Sequence, residues 1–330
     1  ELQVGLSVRS QFVLSGNIHD VFPTASGPFL PTFDAIWSIL TANGYQALLV
    51  YDPVDGLRVH SECISGVKET LERHGIDFAA KPFQLEELLK NIKLVNSLSD
   101  ISVGLIIDYA SHLTANPNEL DDDERMFFVA IDKIANQTLP FDANDVARPP
   151  FNPIFWVVDY LNKMPSWFIV DNENIRLLSM GPPDLEARYA MATKLAAKFP
   201  DADSLQAQER TDALEIFALE TEGMTLSSME AIARLASFEK LCLSEVSDAI
   251  KVYQFGTQTN PWKSEVMRAR IRNGNEILSS RVKGQPHAIR KTLDILIRSV
   301  MGLSGAQSSS RHGRPRGVLF FAGPTGVGKT

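Results

Sequence analysis

The stretch Gly317-Val318-Leu319-Phe320-Phe321-Ala322-Gly323-Pro324-Thr325-Gly326-Val327-Gly328-Lys329-Thr330 closes the sequence and decides how it is read. An apolar run ending in G-x-x-x-x-G-K-T predicts a strand, Val318–Phe321, that feeds a phosphate-binding loop. Gly323, Gly326 and Gly328 let the backbone curl tightly, so that successive N–H groups can point inward at phosphate oxygens. On this reading Gly323, Pro324, Thr325, Gly326, Val327, Gly328, Lys329 and Thr330 form the cradle for ATP. Lys329 reaches the β- and γ-phosphates, and the Thr330 hydroxyl holds Mg²⁺. Such a loop works with a helix that starts right after the threonine and aims its first amides at the phosphates. The sequence runs from Glu1 to Thr330, so it is expected to be part of a longer nucleotide-dependent protein. By itself it is expected to hold no catalytic residue and to bind ATP negligibly.

Composition bounds the rest. The 330 residues are 44% hydrophobic and 22% charged, as in ordinary globular proteins, and suffice for two domains with part of a third. No apolar run approaches the ~18 residues that a membrane span needs, and no signal-peptide pattern opens the sequence. Cys63 and Cys242 lie far apart and read as reduced, and the six histidines show no metal-ligand spacing with them. A cytoplasmic compartment with no membrane partner is the simplest expectation. Charge is uneven: residues 251–330 carry 14 Lys/Arg against 3 Asp/Glu, whereas residues 1–250 carry 18 against 37. A basic block can mean nucleic acid, but these cations lack interleaved aromatics and any nucleic-acid motif, which argues against that partner.

Residues 1–181 read as alternating strands and helices. Strands are predicted at Gln11–Ser15, Gln46–Tyr51, Val103–Tyr109, Ile154–Tyr160 and Ile175–Met180. Helical spacing falls between them at Phe33–Leu40, Ser65–His74, Leu85–Leu94 and Asp123–Ala135. The acidic run Asp121–Glu124 reads as a solvated helix start, favoured by the macrodipole, rather than a metal site. This order predicts an α/β domain with a parallel sheet covered on both faces. Residues 182–256 are helical throughout: Asp184 caps the first helix, and Thr225, or a capping box Ser227–Glu230, caps the third. Residues 257–263 read as a linker, followed by a basic helix around Ser264–Ser279, an amphipathic one around His287–Met301 and a serine-rich tract at Gly305–Gly313.

The segment Leu278 to Thr330 closely resembles the opening of a Clp-type AAA+ module. The match lies in Val282, Gly284, Gln285, Ala288 and Ile289, with Gly302-Leu303, Arg314-Pro315 and the phosphate loop itself. The resemblance implies that Val282, Gln285 and Ile289 pack near the adenine. Residues 1–256 are then similar to a first AAA+ module: a sheet of P-loop NTPase-like topology and a helical lid, joined at Gly181-Pro182-Pro183-Asp184-Leu185-Glu186-Ala187-Arg188. Residues 257–330 are the linker and the start of a second α/β module.

The departures from the family pattern fall in the first module. Where its phosphate loop belongs the sequence has Ser15-Gly16-Asn17-Ile18-His19-Asp20-Val21-Phe22, with one glycine and no lysine. Where an acidic pair belongs, Asp108 is followed by Tyr109. Asn162 could take the sensor position, while Asn172 and Glu173 stand where trans-acting arginines usually sit, with Arg176 a few residues on. The resemblance thus implies a tandem ATPase of Clp/heat-shock disaggregase type. Its second module binds ATP and Mg²⁺, its degenerate first module is structural, and it forms a ring, expected to be a hexamer, that remodels or unfolds a protein client. The alternatives are an ATP-switched interaction platform and a nucleic-acid remodelling ATPase.

Overall fold

The computed structural model describes residues 2–24, 27–63, 66–79, 84–141, 148–169, 172–256, 265–300 and 319–322. It divides into two compact units, Glu1–Pro183 with Gly223–Ser227, and Asp184–Glu222 with Ser228–Thr330.

The first unit is built on a six-stranded sheet. Its strands are β1 (Gln11–Gly16), β4 (Ala47–Asp52), β5 (Gly56–Val59), β6 (Val103–Ile107), β7 (Ile154–Val158) and β8 (Ile175–Met180), while β2 (Val21–Pro23) and β3 (Phe29–Pro31) form a separate antiparallel pair. The sheet order is β5-β4-β6-β7-β1-β8, parallel except for β5, which turns back on β4. The five strands expected from the sequence are the five parallel ones. β2, β3 and β5 were not expected, because runs of three or four residues carry too little periodicity to stand out.

Every residue of β4, β6 and β7 is buried, as expected for strands covered on both faces. Alternate residues serve two cores. Val13, Ile154, Trp156 and Val158 meet Ile92, Phe127, Phe128 and Phe168 on one face. On the other, Phe12, Leu14, Phe155 and Val157 pack with Ile36, Trp37 and Leu40. The buried Gln11 side chain accepts a bond from Trp156 Nε1 (3.1 Å) and donates to the Ile131 carbonyl (3.3 Å), so the one polar residue of β1's start is satisfied.

The helix Asp122–Gln137 begins at the acidic run, where Asp121 and Glu124 form a reciprocal capping box. In the second unit, Asp184 caps Leu185–Leu195 by accepting the Ala187 amide (2.8 Å), and the buried Arg188 donates Nε to the Ala218 carbonyl (2.8 Å). Two expectations need correction. The basic helix is two, Glu265–Arg272 and Gly274–Arg281, breaking at Asn273-Gly274, where a Cβ on Gly274 would sit 2.5 Å from Leu293. The strand expected at Val318–Phe321 is not formed over Leu319–Phe321, and Phe320 is 90% exposed. An isolated strand leaves its N–H and C=O groups without a ladder, and no described residue pairs with this one. Gly323 to Thr330, the linker 257–263 and the serine-rich tract lie outside the described residues.

Candidate functional site

In an open parallel sheet, ligands gather outside the carboxyl ends of the strands, where the strand order reverses. Here β1 lies between β7 and β8, so the loop after β1 occupies that position. Gly16 ends the strand at φ +96°, and a Cβ there would lie 2.5 Å from the Met180 carbonyl oxygen. Only glycine suits such a turn.

Two amides of this loop are used on backbone carbonyls. Asn17 N–H donates to the Met180 carbonyl (2.8 Å) and Ile18 N–H to the Gly16 carbonyl (2.8 Å). The next helix, Thr32–Ala42, opens with Thr32, whose hydroxyl donates back to the Ile18 carbonyl at 2.5 Å and reaches the Asp20 carbonyl at 3.4 Å. Asp20 itself is 2% exposed. Its carboxylate accepts Asn17 Nδ2 (2.8 Å), the Leu226 amide (2.9 Å), the Ser227 amide (2.8 Å) and the Ser227 hydroxyl (2.9 Å). Leu226 and Ser227 open the helix Leu226–Glu239. Burial pushes Asp20 up, but the Asn17 side chain and the amides of Ser227, Leu226 and Val21 more than offset it and hold the carboxyl below its ordinary value. The Ser227–Glu230 capping box is therefore corrected in part: Ser227 Oγ donates to Asp20, and the cap comes from 206 residues away.

The other strand ends carry acids in different states. Asp52 closes the turn into β5 by accepting the amides of Val54 (2.9 Å) and Asp55 (2.8 Å), and it pairs with Arg58. Asp159, after β7, meets His19 at 3.3 Å. Asp108, after β6, is 7% exposed and its side chain accepts the neighbouring Tyr109 amide (2.8 Å). Burial raises its pKa, aided by the nearby Asp52 charge and opposed by the Tyr109 amide, His19 and Arg58. Tyr109 takes the left-handed conformation, φ 50°, with its ring 5.9 Å from that of His19. Among the described residues, none of these acids belongs to a group of three or more His, Cys, Asp or Glu whose ligand atoms lie within 4.8 Å of one another. Among the described residues, the three-group cluster with ligand atoms within 4.8 Å of one another is Asp34, His60 and Glu62, with His60 Nε2 at 2.9 Å from Asp34.

Asn162 is exposed on a 3-10 turn, and Asn172 is tied to Asp132 (2.8 Å) on the helix Asp122–Gln137. Glu173 lies in the turn before β8 and Arg176 within β8. Of the residues expected near the adenine, Val282 is half-buried, Gln285 exposed and Ile289 buried, between and on the last two helices of the second unit. Ile289 N–H donates to the Gln285 carbonyl (3.1 Å), and Gly284, just before Gln285, holds φ +73°. These three stand close in sequence, but their position relative to Gly323–Thr330 is not described. Sequence reasoning missed Asp20, whose partners Leu226 and Ser227 lie 206 and 207 residues further along the sequence.

Fold and switch-point loop together define a Rossmann-like α/β nucleotide-fold domain followed by helices. Residues 1–180 match the family model described as "AAA+ chaperone, N-terminal Rossmann-like domain". The chain belongs to that AAA+ chaperone family. It is similar to the chaperone protein ClpB of Prochlorococcus marinus, 24% identical over 306 residues that make up 87% of this chain and 33% of the relative. A 55-residue stretch, 17% of this chain and 6% of the relative, is 49% identical to ClpB of Chlamydia caviae. Heat shock protein 100 of Trypanosoma brucei brucei is 42% identical over 67 residues, 20% of this chain and 7% of that protein. The chain thus spans about a third of the length of the first of these relatives and less of the others. Among the described residues, no helix is long and apolar enough to cross a membrane.

Proposed function

We propose that this chain belongs to a protein-remodelling AAA+ ATPase in which the second module binds nucleotide and the first is structural. Residues 1–181 form the degenerate α/β domain, 182–256 its helical lid, and 257–330 the linker and start of the second module. Gly323 to Thr330 take the phosphates, with Lys329 on the β- and γ-phosphates and Thr330 on Mg²⁺. Val282, Gln285 and Ile289 border the base. When bound, ATP supplies the free energy of a cycle that pulls on a protein client, and the protein acts as a cytoplasmic ring.

The observation that supports the silent first module is the loop after β1. Its Asn17 and Ile18 amides are spent on carbonyls, and its one buried charge is a carboxylate. A triphosphate placed there would face oxygens, not donors, and repulsion between like charges in a low dielectric is costly. Asp108, which would have to help hold a cation, is disfavoured in its charged form by burial.

The deciding experiment is calorimetric titration of the full-length protein with Mg-ATP. One site per chain is expected, and Lys329→Ala should abolish it, weakening binding by at least about 100-fold through loss of the charge-assisted contacts. Asp108→Asn should leave binding unchanged. Binding that survives Lys329→Ala, or none in the unaltered protein, would overturn the assignment. The 330-residue chain alone is expected to bind ATP negligibly.

A further inference from the structure

We infer that Asp20 is a built-in anion that locks the loop after β1 to Leu226-Ser227, within the first unit, in a single conformation independent of nucleotide. The inference rests on the proposed silence of that module and gives it a mechanism. In a phosphate-binding loop the negative charge that satisfies inward-facing amides arrives with the ligand, so the arrangement depends on occupancy. Here the charge is part of the chain. Asp20 follows β1 by four residues, is buried, and bridges two pieces of the first unit 206 residues apart: its own loop, through Asn17, and Leu226-Ser227, through two amides and a hydroxyl.

The geometry favours a lock over an incidental cap. A cap within one helix satisfies amides from a residue next to them, as Asp121 does at Asp122–Gln137 and Asp184 at Leu185–Leu195. Asp20 instead satisfies amides that its own neighbourhood does not supply. The same device occurs within the helical unit, where Asp201 accepts the amides of Leu243 and Ser244 and the Ser244 hydroxyl. Asp201 does not belong to a switch-point loop, so it serves as the internal control.

Hydrogen exchange on the 330-residue chain, resolved to single amides, tests the lock. In Asp20→Ala the amides of Leu226 and Ser227 should exchange about tenfold faster or more, while those of β6 and β7 keep their rates. Sodium formate, a free carboxylate, should restore protection in Asp20→Ala and change nothing in the unaltered chain. Asp201→Ala should affect Leu243 and Ser244 and leave Leu226 and Ser227 alone. Should Asp20→Ala fail to fold, the isosteric Asp20→Asn carries the same readout. Unchanged exchange at Leu226 and Ser227, or acceleration spread evenly over the sheet without formate rescue, would overturn the lock. A separate arm isolates the reading beneath it: Mg-ATP added to the Lys329→Ala chain should leave the amides of residues 16–22 unchanged. Protection there would end the silence of the module, whether or not Leu226 and Ser227 respond to Asp20.

Discussion

Two buried carboxylates stand at the carboxyl edge of the same sheet and have been put to opposite uses. Asp20, after β1, is 2% exposed and accepts from two side chains and from the amides of Val21, Leu226 and Ser227, so its charged form is favoured and its pKa lies below the ordinary value. Asp108, after β6, is 7% exposed, its side chain accepts the Tyr109 amide, and its pKa is raised. Burial penalises both charges about equally in kind; the number of donors decides the outcome. A strand-end acid in this fold can therefore be a well-bonded anchor or a group whose charge burial disfavours, and position in the sheet alone does not tell which.

The sharpest way to break the comparison is to disturb the turn that presents Asp20. Gly16→Ala places a Cβ against the Met180 carbonyl at a φ of +96°. The left-handed conformation costs an L-residue roughly 1–2 kcal/mol, and relieving the backbone contact adds to it, so a loss of about 2–4 kcal/mol is expected. Urea unfolding of the variant measures it. A loss below about 1 kcal/mol would mean that the loop is not fixed at Gly16, and the contrast with Asp108 would lose its geometric basis.

The next largest effect is that of Asp20→Asn. The amide keeps one acceptor but turns a donor toward the backbone amides, and hydrogen bonds to a charged group contribute about 1.5–3 kcal/mol, so a loss near 2 kcal/mol is expected at neutral pH. The pH dependence fixes the cause. Because the folded pKa is depressed, the stabilisation is full above the unfolded value near 3.8 and is lost as pH falls through the folded value. The gap between the two proteins should therefore be constant at neutral pH and close below about pH 3.8. A gap independent of pH would assign the loss to shape rather than charge.

These residues also mark how far the sequence can be read. The apolar runs at 11–15, 46–51, 103–107 and 154–158 announce parallel strands because both faces are buried, 175–180 announces one by its apolar residues although only Ile175 and Leu178 are buried, and Asp121 and Asp184 announce helix starts because their partners are three residues away. β5 is invisible for the opposite reason: only Gly56 and Leu57 of its four residues are buried, so no pattern marks it. The absence of a lysine in Ser15–Phe22 is plain in the sequence. What fills its place is not, since nothing local to Asp20 points to Leu226 and Ser227. Hydrophobic pattern and local caps are legible; a carboxylate's long-range partners are a property of the fold.

The smallest effect carries the opposite sign and tests Asp108. Its folded pKa is raised, so it favours the fold only when protonated, a contribution present below the unfolded value of 3.8 and lost as pH rises through the folded value. At neutral pH the buried charge is a net cost. Asp108→Asn keeps an oxygen to accept the Tyr109 amide and removes the charge, so it should stabilise the chain by about 0.5–1 kcal/mol at neutral pH and by nothing near pH 3. Removal of the charge also ends its repulsion with Asp52, although it gives up the attraction of His19 and Arg58, which is why the gain stays small. Thermal unfolding of both proteins at the two pH values checks it. Destabilisation at neutral pH would show that Asp108 is held as a working anion after all, and the difference between the two strand-end acids would collapse.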